Sequence, residues 1–157
     1  MIMKTKTIIE ELNHNDLVDL LSTALYGSQM LACSYSAETY KAYCKVDEQD
    51  CIEDKMAKLL LRGDEISIGD MYAESDDDTN DSKLHHEWDD EREIMWYDVT
   101  LDDIKRGIEK CLNGTGDGDN AYLRSCAMDF INGEGDMDLP EAEAIMQVIL
   151  WGELIYG

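Results

Sequence analysis

Basic residues are scarce in this chain of 157 residues. Thirteen lysines and arginines stand against 36 aspartates and glutamates, a net charge of -23. Such a chain repels nucleic acid and anionic membrane surfaces, so neither is expected as a direct partner. Its charged partners are then cations or basic protein surfaces, unless the charge only keeps the chain soluble. No apolar run approaches the roughly 20 residues that a membrane span needs. Met1 to Thr7 carries Lys4 and Lys6 but no apolar run suited to export, so a cytoplasmic protein is expected. The five cysteines (Cys33, Cys44, Cys51, Cys111 and Cys126) are odd in number and form no CxxC. Free thiols in a reducing compartment follow. Cys111 and Cys126 fall on apolar helix faces and read as small core residues.

Proline occurs once, at Pro140, and its place is informative. In Asp138-Leu-Pro-Glu141 the aspartate suits a helix N-cap, and proline falls in the first turn, where a missing N–H is harmless. Glu141 and Glu143 favour the positive end of the helix dipole. From Ala144 to Trp151 the only polar residue is Gln147. A helix apolar on nearly every side is buried on nearly every side, so this segment is expected to be the central core helix, with Ile145, Ile149, Trp151 and Leu154 inside. Glu153 is expected to reach solvent or accept hydrogen bonds near the chain end.

The remaining elements follow from periodicity. Leu17, Leu20, Leu21, Ala24 and Leu25 form one helix face, in a helix starting at Asn15 or Asp16 and stopped by Gly27. Gln29 to Val46 is ambiguous: Tyr35, Tyr40 and Tyr43 suit a helix capped by Ser36, and Leu31–Tyr35 suits a short extended piece. Glu48 to Arg62 reads as a helix with Ile52, Met56, Leu59 and Leu60 inward and Gly63 as its stop. The period then changes to two. Ile66, Ile68 and Tyr72, and Ile94 and Trp96 with Tyr97 and Val99 out of step, suggest two strands of an antiparallel hairpin. Thr100-Leu-Asp-Asp103 has a capping-box pattern ahead of a helix to Leu112. A second helix covers Asn120 to Ile131, after the glycine-rich turn at residues 113–119. The fold expected is α+β: a mostly helical single domain over residues 1–157, with a buried C-terminal helix and a small antiparallel β-hairpin.

Residues 74–93 are the acidic extreme, with ten carboxylates against Lys83 and Arg92. Leu84 and Trp88 are the only sizeable apolar side chains there, too little to offset ordering entropy, so a mobile loop is expected. Within it, Asp76, Asp78, Asn80, Ser82 and Glu87 fall at the ligand positions of a calcium-binding EF-hand loop. Asp81 stands where that loop turns on glycine, and the flanks read as strands rather than helices. A solvated charge run is the competing reading. His85 and His86 read as surface residues rather than zinc ligands. The turn at Gly114–Asp119 lacks the lysine of a phosphate-binding loop, and its aspartates would repel phosphate. No nucleophile–base pair is legible from spacing, so no catalytic residue is named and no enzyme is expected.

The chain end, Gln147-Val-Ile-Leu-Trp-Gly-Glu-Leu-Ile-Tyr-Gly157, resembles the ending of small acidic proteins encoded by tailed phages and prophages of gut bacteria. Tyr97-Asp-Val-Thr-Leu-Asp-Asp-Ile-Lys-Arg-Gly107 is similar to their strand-to-helix segment, and Leu17 to Ser28 to their N-terminal helix. These segments cover about a third of the chain, and residues 74–93 depart from the pattern. The resemblance implies a mobile-element protein of the bacterial cytoplasm and supplies no catalytic residues.

Two functions remain open. One is a non-enzymatic anti-defence inhibitor that mimics nucleic acid and covers the basic surface of a nucleic-acid-binding host protein through Asp76, Asp77, Asp78, Asp81, Glu87, Asp89, Asp90 and Glu91. The other is a small-molecule or calcium-binding protein, with Tyr35, Tyr40, Tyr43, Trp96 and Trp151 as candidate pocket aromatics. No cofactor is required by the first, and neither specifies an oligomeric state.

Overall fold

The last helix is the centre of the molecule. In the computed structural model, which describes residues 10–43, 50–74, 82–116, 118, 120–133 and 137–156, every residue from Ala144 to Leu150 is buried. The described elements run α1 (His14–Leu25), β1 (Leu31–Ser34), α2 (Ala37–Tyr43), α3 (Ile52–Arg62), β2 (Ile66–Asp70), β3 (His86–Asp89), β4 (Ile94–Val99), α4 (Leu101–Asn113), α5 (Asn120–Asn132) and α6 (Leu139–Trp151). Helices α1, α4 and α5 all pack on α6. The strands form one antiparallel sheet in the order β1-β2-β4-β3. The domain is α+β, as the periodicities indicate, with a sheet twice the expected number of strands. No described helix is long and apolar enough to cross a membrane.

The helix starts are local chemistry. Asp138 accepts the N–H of Glu141 at 3.0 Å, and Pro140 lies in the first turn. Thr100 accepts from Asp103, whose carboxylate takes the Thr100 N–H at 2.9 Å. α1 begins at His14, slightly ahead of the expected start, because Asn13 is the cap and exchanges hydrogen bonds with Asp16. The extended and helical readings of the tyrosine-rich stretch are both right in part. Leu31–Ser34 is a strand, and Ser36 accepts the Thr39 N–H at the entry to α2. α3 starts at Ile52 rather than in the Glu48 region, whose residues 44–49 lie outside the described set. Ile52, expected inward, is 37% exposed at the helix entry.

Close approach sets the helix packing. A Cβ on Gly107 of α4 would lie 2.4 Å from Ile149 Cγ1 and 2.8 Å from its Cα, so only glycine lets α4 and α6 meet here. Cys111 and Cys126 are fully buried in the same core, and burial pushes their thiols up to about 12 and about 11. Gln147 is the one polar side chain in the buried run of α6. Its Oε1 accepts the N–H groups of Ile155 and Tyr156, both at 2.9 Å. The tail therefore folds back over α6 after Gly152, whose φ of 80° is left-handed. Ile145 and Ile149 are core residues. Trp151 and Leu154 pack against the core without full burial. Trp151 donates its indole N–H to the Tyr97 hydroxyl at 2.9 Å, with the rings edge to face. Glu153 is exposed, as expected.

Candidate functional site

Strand β4 divides the sheet into two chemistries. Met95, Tyr97 and Val99 are buried on the inner face, while Ile94, Trp96 and Asp98 lie on the outer face. The registers extend the outer face sideways. Ser34 pairs with Ser67, Ser67 with Asp98, and Asp98 donates its backbone N–H to the His85 carbonyl. In the next row Ala32 pairs with Gly69, Gly69 with Trp96, and Trp96 with Glu87.

β3 is a correction to the sequence reading. His86–Asp89, inside the stretch expected as loop, is an edge strand, and residues 90–93 make the turn into β4. Its residues show little apolar alternation, so no local signal marks it, and pairing with β4 creates it. Asp89 builds the turn. Its Oδ1 accepts the N–H groups of Glu91 and Arg92, both at 3.1 Å, and its Oδ2 takes the Trp96 indole N–H at 3.3 Å. The Arg92 N–H in particular holds the Asp89 carboxyl below its ordinary range. Glu93 takes a φ of 57° in that turn, an uncommon conformation for a non-glycine residue.

A cavity of about 520 Å³ opens on this outer face. Five carboxylates line it (Glu87, Asp89, Asp90, Glu91 and Asp98), together with Arg92, His85, Trp88, Trp96, Ser34 and Ser67. His85 Nδ1 lies 2.7 Å from an Asp98 oxygen. That bond raises the pKa of His85 above its usual value.

Serine, histidine and aspartate thus meet in one place, yet not as a hydrolytic relay. Across the sheet the order is Ser67, Asp98, His85. A relay needs the imidazole between the hydroxyl and the carboxylate, so that one ring nitrogen faces each. Here the carboxylate stands in the middle. Five carboxylates against one arginine make the lining predominantly acidic.

Of the partner-binding residues named from sequence, Glu87, Asp89, Asp90 and Glu91 come together in this cavity, and Asp76, Asp77, Asp78 and Asp81 lie outside the described residues. Asp98, Trp96 and His85 complete it. Asp98 was hidden in a strand, and only the register shows that it shares a face with Glu87. Of the calcium-loop positions, Asp76, Asp78 and Asn80 also lie outside the described residues. Ser82 donates its hydroxyl to the Leu150 carbonyl of α6. Glu87 stands on β3, where a calcium loop would be entering a helix. Among the described residues no three histidine, cysteine, aspartate or glutamate side chains are placed to hold a metal ion.

Of the pocket aromatics named from sequence, the Tyr43 side chain lies outside the described set, and the other four do not converge. Tyr35 and Tyr40 pack edge to face with Lys55 above both rings, Trp96 lies on the outer sheet face, and Trp151 sits against Tyr97. A different groove, about 560 Å³, lies between the returning tail and α6, with Tyr72, Tyr122 and Tyr156 among its walls.

Compared with family models, with curated proteins and with solved structures, the chain matches none.

Proposed function

We propose that this chain is a non-enzymatic binding protein whose acidic outer sheet face covers a basic surface on a nucleic-acid-binding protein. One observation carries the reading: the concavity where Glu87, Asp89, Asp90, Glu91 and Asp98 converge on the outer face of the sheet. A basic groove that normally tracks phosphates would meet there a cluster of negative charges. The phage-like chain end supports placing the protein among mobile-element products that block a host defence or nucleic-acid enzyme.

The test is capture from bacterial lysate on the immobilised protein. Recovery of a nucleic-acid-binding protein that is released by raised salt and displaced by duplex DNA supports the reading. Recovery of only neutral or acidic partners, or capture indifferent to salt, overturns it. The triple variant Glu87→Gln, Asp90→Asn, Glu91→Gln should lose most of the capture. Asp89 is left intact because it holds the turn.

The small-molecule reading now rests on the groove beside Tyr72, Tyr122 and Tyr156. Native mass spectrometry of freshly purified protein separates the two: a retained small ligand favours this second reading.

A further inference from the structure

The floor of the acidic cavity is an indole laid along the sheet. Gly69 lies opposite Trp96 on β2, and a Cβ there would come within 2.9 and 3.0 Å of two carbons of the Trp96 six-membered ring. The other end of the same indole points its N–H at Asp89, at 3.3 Å. The ring therefore spans from β2 to the β3–β4 turn and lies down across the strands. It is half-buried, and it lines the cavity. Glu87 sits directly across from it on β3. Asp98 follows two residues along β4 on the same face, about 7 Å away by strand geometry.

We infer that this floor receives the guanidinium of an arginine side chain from a basic protein, stacked on Trp96 and held at its rim by Glu87 and Asp98. The inference rests on the binding reading above and names what that site recognises. An indole face attracts a cation through its quadrupole. A planar guanidinium stacks on the ring and directs its N–H groups sideways, into carboxylates at the rim. A lysine ammonium has no plane to stack and gives up a tighter hydration shell. Arg92 lines the same cavity without taking the position: among the described residues the cation–π contacts are those of Lys55 with Tyr35 and Tyr40. Asp89, engaged with two backbone N–H groups and the indole, holds the ring. Glu87 faces the ligand, and Asp98, whose Oδ2 is paired with His85, offers it the other carboxylate oxygen.

Three synthetic Gly/Ser peptides, alike except for two positions occupied by arginine, lysine or citrulline, test this at low ionic strength. Binding to the full chain is followed by calorimetry and by the indole N–H resonances of Trp88, Trp96 and Trp151. The arginine peptide should bind more tightly than the lysine peptide, by no more than the about 2- to 5-fold that a whole exposed cation–π contact supplies. It should also shift the Trp96 resonance in the unmodified protein, and the citrulline peptide should not. Trp96→Leu should erase the arginine preference while leaving charge-driven binding. Glu87→Gln with Asp98→Asn, on exposed or half-exposed sites, should weaken both cationic peptides. Equal binding of arginine and lysine, or an unmoved Trp96 resonance, overturns the arginine site and leaves the basic-surface reading standing. If neither cationic peptide binds, the arginine site fails, and the lysate capture decides the wider reading separately.

Discussion

The two faces of strand β4 are built from alternate residues of one short segment, and they obey different rules. On the inner face Tyr97 is 1% exposed, and its hydroxyl accepts the Trp151 indole N–H. Volume and hydrogen-bond partners are dictated there by the core. On the outer face Trp96 lies over Gly69 among carboxylates, where shape is loose and charge dominates. The inner face should thus show its energy in stability and the outer face in binding. That division is what substitution can break.

The largest effect is expected on the inner side. Tyr97→Ala removes a buried ring and orphans the Trp151 indole, and should cost about 3–5 kcal/mol, read by denaturant titration. A cost below about 1 kcal/mol would mean that the inner face is no more demanding than the outer. Next comes Gly107→Ala, whose methyl would overlap Ile149 backbone as well as side chain. About 1–3 kcal/mol is expected for such overpacking.

Gly69→Ala sharpens the comparison, because its clash is with the side chains of Ile94 and Trp96. A half-exposed ring can swing away, so the stability cost should be near 1 kcal/mol, accompanied by a change in indole fluorescence and loss of arginine selectivity. An unchanged Trp96 environment would show that the ring does not lie over Gly69.

A pH effect should be seen away from the sheet. Glu141, at the start of α6, is pushed from 4.5 to about 7, first by its hydrogen bond with Asp129 and then by burial. The folded state therefore holds its proton more tightly than the unfolded chain. The stabilisation is complete below about pH 4.5 and is lost as pH rises through about 7. Melting temperature should fall over that window, and Glu141→Gln should flatten the slope. A slope that persists in the variant would assign it to other groups.

The smallest stability effect belongs to the cavity rim. Glu87→Gln, Asp90→Asn and Glu91→Gln together should change stability by no more than about 0.5 kcal/mol while removing most salt-sensitive binding. Loss of folding instead would make the acidic rim structural.

Much of this molecule was legible one turn at a time. Asp138, Thr100 and Gly63 mark helix ends through bonds to residues three or four positions away. The uniformly apolar run of α6 announced its central place. The sheet was only half legible. Ile66, Ile68, Tyr97 and Val99 gave two strands by alternation, but β3 offers His-Glu-Trp-Asp, whose composition reads as solvated loop. Four residues of the acidic rim were named from charge alone. Asp98 and Trp96 could not be joined to them, because the parity of β4 was unresolved between Trp96 and Tyr97.

Capping, helix stops and the identity of the core helix were thus determined by the sequence itself, since each depends on contacts within a few residues or on one segment's uniform polarity. The four-stranded sheet, the face on which each strand residue lies and the Trp96 floor were decided by tertiary structure alone. Backbone pairing carries no residue signature, and a one-residue change of register exchanges the faces. The ring of Trp96 lies flat because Gly69, on another strand, leaves room for it.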